Sequence, residues 1–361
     1  MTTYTLSFGD EKARDVKEVG GKGAGLADMT AAGLPVAPGF VVTASAYHDF
    51  LDTDGLRGDI SELLEPVKHG NPSEFEQVAG KITDRLARAA LPSEVAKQVR
   101  QGYAALCEQS GIPDVAVAVR SSATAEDTAG DSFAGEFETW VDVTGAQEVL
   151  RHVHMCYVSV FTGRVLSYAL KRGVDLADVE MAVVVQKTVR ARAAGVMFTL
   201  DPISGDRSRI VLESSWGLGL SVVGGEVNPD RYVVAKVGLK LADRIPGNKH
   251  IEYCYGQAPV EVAEERRTQL CLANDEVIAL ARLAKHVEKL NGCPQDIEFA
   301  VDEDLPPGEN LILLQCRPET VWAKVKRAPV FDQGADVMSW ITGTIGGSAP
   351  GNAPKPTHTH D

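Results

Sequence analysis

The chain has 361 residues, of which 44% are apolar, enough to fill two or three modest cores. A formal net charge of −14, with no basic stripe, excludes non-specific nucleic-acid binding and disfavours a membrane-surface role, since both targets demand clustered Lys and Arg. Six cysteines scattered without a C-x-x-C pair are expected as reduced, semi-buried thiols, not as a disulfide framework or a zinc site.

No apolar run reaches the roughly 18 residues of a membrane span. The start, Met1 to Thr5, lacks the basic-then-apolar pattern of a signal peptide, so a cytoplasmic protein is expected. In chain order, Gly20-Gly21-Lys22-Gly23-Ala24-Gly25 reads as a Gly-rich turn before a short helix from Leu26 to Ala32. Gly33 to Gly39 is a turn by composition and leads into a strand at Phe40 to Thr43. Residues 56–110 read as mostly helical, with breaks at Pro72 and Pro92. A strand carrying Val115, Val117 and Val119 stops at Arg120-Ser121-Ser122.

Met181 to Gln186 is a continuous apolar run, as in a strand buried on both faces. Further strands are expected at Val196–Leu200, Ile210–Glu213 and Arg231–Val237. The clearest helix covers 275–290: Val277, Leu280, Ala281, Ala284 and Val287 share a face, and Asn291-Gly292 supplies the stop. Two strands follow, Ile297–Val301 and Leu311–Gln315, and the Gly/Pro/Ala/Ser-rich tail from Gly346 is expected to be disordered. Strands and helices intermix without strict alternation, which predicts an α+β fold.

Three groups of residues could carry chemistry. Glycines around Lys22 could turn backbone N–H groups and a full charge toward an anion; a plain glycine turn explains the same residues. Arg120 ends a strand whose valines point to the other face, so its guanidinium is expected in a cleft. The following Gly130-Asp131-Ser132-Phe133-Ala134-Gly135 loop, with Thr139 just after it, could close over a polyphosphate; a surface arginine and a flexible loop are the alternative. Asp296 and Glu298 lie two apart on one strand, as do Gln315 and Arg317 on the next, so each pair shares a face. Were those strands neighbours, carboxylate and amide oxygens would meet beside a guanidinium, suiting Mg²⁺ and phosphate; a structural Glu298–Arg317 ion pair is the alternative. His152 and His154 have no third ligand nearby in sequence and are expected to be structural.

Together these blocks resemble one family. Gly20-Gly21-Lys22-Gly23-Ala24 and Gly33-Leu34-Pro35-Val36-Ala37-Pro38-Gly39-Phe40 are similar to the opening of phosphoenolpyruvate synthase, pyruvate phosphate dikinase and rifampin phosphotransferase. So are Val119-Arg120-Ser121-Ser122-Ala123, Ser132-Phe133-Ala134-Gly135, Gly195-Val196-Met197-Phe198-Thr199, Asp201-Pro202, Asp296-Ile297-Glu298-Phe299 and Gln315-Cys316-Arg317-Pro318. Over about residues 10–322 the order is the same. The resemblance implies an ATP-grasp fold over 1–325, with two lobes clamping ATP and a lobe boundary near 190–240, then a C-terminal extension over 326–361.

Carried over residue by residue, it implies that Lys22, Arg120 and Arg317 bind phosphates and act in catalysis. Gly135 and Thr139 would belong to a covering loop, Gln186 would border the adenine, and Glu298 and Gln315 would hold Mg²⁺. In this family ATP phosphorylates a histidine on a swivelling domain, giving AMP and phosphate in most members. The Thr-x-His motif of that domain does not occur here, and Leu220 stands where many relatives carry an acidic residue. Resemblance to split enzymes such as phenylphosphate synthase therefore implies a partner chain that carries the phosphohistidine, with a phenol or alkylphenol as final acceptor. A split phosphoenolpyruvate synthase-like enzyme and a non-catalytic ATP-sensing module are the alternatives.

Overall fold

The computed structural model describes residues 2–65, 67, 72–123, 138–172, 174, 176 and 179–322. The expected loop 130–135 and the C-terminal extension and tail lie outside the described residues. Met1–Trp322 forms one compact unit.

In chain order come β1 (Thr5–Ser7), α1 (Val16–Ala31), β2 (Gly39–Val42), α2 (Ala44–Leu51), α3 (Leu56–Leu64), α4 (Pro72–Ala87) and α5 (Ser93–Ser110). Then follow β3 (Val117–Ala123), β4 (Thr139–Val143), α6 (Ala146–Ser159), α7 (Gly163–Arg172), β5 (Met181–Lys187), β6 (Ala191–Phe198), β7 (Arg209–Trp216) and α8 (Leu220–Val223). The last elements are β8 (Asp230–Ala235), β9 (Lys240–Ile245), β10 (Ile251–Glu252), β11 (Val260–Glu261), α9 (Glu264–Arg267), α10 (Asn274–Asn291), β12 (Gln295–Asp302) and β13 (Leu311–Pro318). The arrangement is α+β.

The strands make a five-stranded sheet, β1-β2-β5-β3-β4, and a six-stranded sheet, β13-β12-β6-β7-β8-β9, with β10 and β11 as a separate hairpin. β5 explains the first sheet. Its period of two sends Val183 and Val185 into a core shared with α2 to α7, while Ala182 and Val184 enter a second core, so the strand is buried on both faces. That second core continues through α1 to the six-stranded sheet, where Met197, Leu212, Ile297, Phe299 and Leu313 meet the apolar stripe of α10. At α10, Glu276 Oε2 accepts the Ala273 N–H at 2.8 Å and Gly292 ends the helix in the left-handed region.

The glycine-rich segment differs from the sequence expectation. It lies inside α1, which is helical from Val16 except at Gly20 (φ 69°). The reason is a close approach: Ser122 at the end of β3 donates its hydroxyl to Val19 O (2.7 Å) and accepts the Gly23 N–H (3.2 Å). A Cβ on Gly20 would lie 2.1 Å from the Ser122 carbonyl oxygen, so only glycine allows the kink. β3 likewise runs on to Ala123, through the Arg120-Ser121-Ser122 segment where a stop is expected.

Several devices join the two sheets. Residues 187–190 link β5 to β6, with the Lys187 and Thr188 N–H groups bonded to Pro38 O and Ala116 O, each at 2.9 Å. The Leu313 N–H on β13 donates to Pro35 O at 2.7 Å. From the β10–β11 hairpin the Gly256 N–H donates to Asp142 Oδ2 of β4 at 3.0 Å, and Arg190 lies over the Tyr255 ring. Within the second sheet a fully buried Lys249–Asp230 ion pair gathers the Gly247 and Cys271 N–H groups onto the same carboxylate.

Gly20→Ala is expected to lower stability by about 1–3 kcal/mol through backbone strain alone. Gly80→Ala, at an open position on α4, is expected to raise it by about 0.5–1 kcal/mol. Urea midpoints of the two variants against the parent check this; equal shifts would remove the close-approach argument.

Candidate functional site

The site is built from two sheet faces that look at each other. On the inner face of the first sheet, β3 places Arg120 opposite Thr139 of β4 and Val184 of β5, while Gln186 sits opposite Ala118 and Gly39. The valines at 117 and 119 point to the other face, into the first core. In the second sheet β12 and β13 are antiparallel neighbours: Asp296 faces Arg317 and Glu298 faces Gln315. Ile297 and Phe299 turn to the α10 side, which leaves Asp296, Glu298 and Ala300 on the face toward the first sheet.

Arg120 joins the two faces. Its Nη2 donates to Glu298 Oε2 at 2.6 Å, and its Nη1 lies 3.4 Å from the Leu314 carbonyl oxygen. The Leu314 carbonyl is available because the β12–β13 register slips between Glu298 and Phe299, so that Leu314 has no partner in the ladder. Arg317 pairs instead with Asp296, through Nε (2.8 Å) and Nη2 (2.7 Å) onto one oxygen. The ion pair that spacing suggests, Glu298 with Arg317, is thus replaced by two pairs: Arg120 with Glu298, and Arg317 with Asp296.

Charge follows this geometry. Burial pushes the Glu298 carboxyl up, but the Arg120 charge and hydrogen bond, then the Arg317 and Lys22 charges, outweigh it and hold it below the usual carboxylate value. At Asp296 burial is the largest cause and prevails over Arg317, so that carboxyl is held above its usual value, with Glu298 adding to the rise. Lys22, in the first turn after the Gly20 kink and half-buried, therefore acts on the same carboxylate as Arg120 and Arg317.

Between the faces lies a mainly apolar cleft. Its lining includes Ala118, Arg120, Thr139, Val141 and Gln186 from the first sheet, Thr188 and Val189 from the linking segment, and Ala194, Glu298 and Ala300 from the second. Leu220 and Val223 of α8 close one side. Gln186 is buried and its Nε2 donates to Ala37 O at 3.2 Å. Of the expected residues, Arg120, Thr139, Gln186 and Glu298 line the cleft, Gln315 sits beside Glu298, and Lys22 and Arg317 reach Glu298 through their charge; Gly135 lies outside the described residues.

A cation fits here in a specific way. Among the described residues no cluster of three or more His, Cys, Asp or Glu side chains could hold a metal by itself. Gln315 Oε1, however, is a buried acceptor with no donor among the described residues, on the residue paired with Glu298 across the strands. One carboxylate and one amide oxygen are the sparse hard donor set that Mg²⁺ accepts when phosphate and water complete its shell. His152 and His154, by contrast, lie on α6 with ring nitrogens near Glu148 O (2.7 Å) and Leu86 O (3.0 Å), as structural residues.

Sequence periodicity misses the Leu314 carbonyl, since a bulge carries no local signal. Thr188 is missed too, although the period of two that selects Gln186 extends to it.

Residues 16–336 match the family described as pyruvate phosphate dikinase, AMP/ATP-binding domain, and the chain belongs to that family. It is 40% identical over 347 residues to the phosphoenolpyruvate synthase of Aeropyrum pernix, covering 88% of this chain and 42% of that protein. It is 35% identical over 386 residues to the phosphoenolpyruvate synthase of Pyrococcus furiosus, covering 95% and 47%. With the phosphoenolpyruvate synthase of Pseudomonas aeruginosa the identity is 37% over 340 residues, covering 89% and 42%. The chain thus spans less than half the length of these relatives.

Glu298→Gln leaves Arg120 without its counter-charge and is expected to cost about 1–3 kcal/mol of stability near neutral pH. Glu298 has a lowered folded-state pKa, so its stabilisation is present above the unfolded value and is lost as pH falls through the folded one. The gap between parent and variant should therefore close below the ordinary carboxylate range. Urea unfolding across acidic pH measures it; a gap that does not change with pH would remove Glu298 as the titrating partner.

Proposed function

We propose that this chain is the ATP-binding part of a dikinase-type phosphotransferase, an ATP-grasp domain whose two sheets form the lobes that hold the nucleotide between them. The observation that carries this is the facing of Arg120 and the Glu298–Gln315 strand pair across an apolar cleft. Base and ribose would occupy the apolar stretch near Gln186, and the phosphates the charged end. Lys22, Arg120 and Arg317 would stabilise the negative charge that develops on the transferred group, and Thr139 would lie beside the phosphates. Glu298 and Gln315 would hold Mg²⁺, which when bound neutralises phosphate oxygens.

Arg120 and Glu298 are paired with each other, so binding would exchange partners: the phosphates would take the guanidinium and the cation the carboxylate. Neither charge then loses its counter-ion. In the reaction ATP, water and an imidazole would give AMP, phosphate and a phosphohistidine, breaking both phosphoanhydride bonds. In this reading the imidazole would come from a swivelling domain on a partner chain. The phosphohistidine would then serve a phenol or alkylphenol. The relatives named phosphoenolpyruvate synthase support pyruvate as the competing acceptor.

The test incubates the chain with Mg²⁺ and labelled ATP, with and without a histidine-bearing domain from the adjacent reading frame. AMP is expected only when both proteins are present, and phenol and pyruvate offered as acceptors distinguish the two chemistries. Glu298→Ala is expected to lower AMP formation by more than about tenfold, the effect of losing one charge-assisted hydrogen bond. Steady turnover by the chain alone, or ADP as product, would overturn the split dikinase; unchanged function of Glu298→Ala in a regulated partner would favour an ATP sensor.

A further inference from the structure

Thr188 stands in the segment between the sheets, is 7% exposed and lines the cleft. Its backbone N–H is bonded to Ala116 O, yet its Oγ1 is buried with no hydrogen-bond partner among the described residues. A hydroxyl removed from water without a partner is destabilising, so a position that keeps one calls for a ligand that completes it. Arg120 Nε and Gln315 Oε1 are buried and unpartnered in the same way, at the charged end of the same cleft.

The positions of these groups form a line. Ala116, which holds the Thr188 N–H, lies four residues before Arg120 along the β3 direction, about 13 Å at the rise of an extended strand. A nucleoside triphosphate laid along the strand with its phosphates at Arg120 brings its base to Thr188. Gln186 and Thr188, two apart, share the cleft side. The Gln186 amide donates through Nε2 to Ala37 O, which fixes its orientation and makes Oε1 its accepting end.

We propose that Thr188 is a specificity-determining residue for the nucleotide: its hydroxyl donates to a ring nitrogen of the purine, N1 of adenine, while Gln186 Oε1 accepts from the neighbouring 6-amino group. Guanine offers a protonated N1 and an acceptor at position 6, so the pair of groups disfavours it. The inference rests on the nucleotide-binding reading above and adds the residue that reads the base.

Calorimetric titration of the full chain with Mg²⁺ and nucleotide tests it. Thr188→Val, nearly isosteric, is expected to weaken ATP binding roughly three- to tenfold, the effect of one neutral hydrogen bond, while Thr188→Ser stays near the parent. The decisive readout is coupling: 1-deaza-ATP, which lacks the N1 acceptor, should bind the parent weakly and be indifferent to Thr188→Val. Equal ATP affinity of parent and Thr188→Val, or an equal loss with 1-deaza-ATP in both, overturns the role of Thr188 and leaves the ATP-binding reading standing. No ATP binding by the parent would overturn both.

Discussion

The ion pair between Arg120 and Glu298 is the contact through which the two sheets define a common site. Its members come from strands 178 residues apart, and each is presented by a regular ladder that leaves little choice of direction. The pair is mostly shielded, with side chains 14% and 24% exposed, so neither charge tolerates the loss of the other. Arg317 and Asp296 repeat the device one step along the sheet, and Lys22 adds charge from the kinked helix. The chain, at −14 overall, thus gathers its cations where an anion would need them.

How far the sequence foretells this depends on the range of the interaction. Strand periodicity shows that Arg120 and the valines occupy opposite faces, and that Asp296 with Glu298, and Gln315 with Arg317, share faces. Those are local facts of an alternating backbone, and the burial of β5 is legible in the same way from six consecutive apolar or amide side chains. Partner choice is not local. Spacing suggests Glu298–Arg317 and gives no sign of Glu298–Arg120, which only the facing of the two sheets brings about.

Composition misleads at the glycine-rich segment. Four glycines within six residues read as a turn, yet only Gly20 leaves helical geometry. What imposes this is Ser122, a hundred residues on, which occupies the space a side chain would need and bonds both sides of the kink. The short strands β1 and β4 also escape periodicity, since three and five residues cannot establish an alternation. Their places are set by neighbours: β1 by β2, and β4 by β3.

The order of strands in the six-stranded sheet carries a consequence for biosynthesis. β12 lies between β13 and β6, so β6 must wait for about a hundred later residues before that side of it is paired. As the polypeptide emerges from a ribosome, β6 to β9 can assemble by successive hairpins, but they expose an open apolar margin until β12 arrives. Such a margin is a template for the wrong strand, including one from a neighbouring nascent chain. Glu298 and Arg317 reach their places in that same closing event, so completion of the sheet and assembly of the charged end of the cleft are one step, and a chain cut short before β12 would lack both.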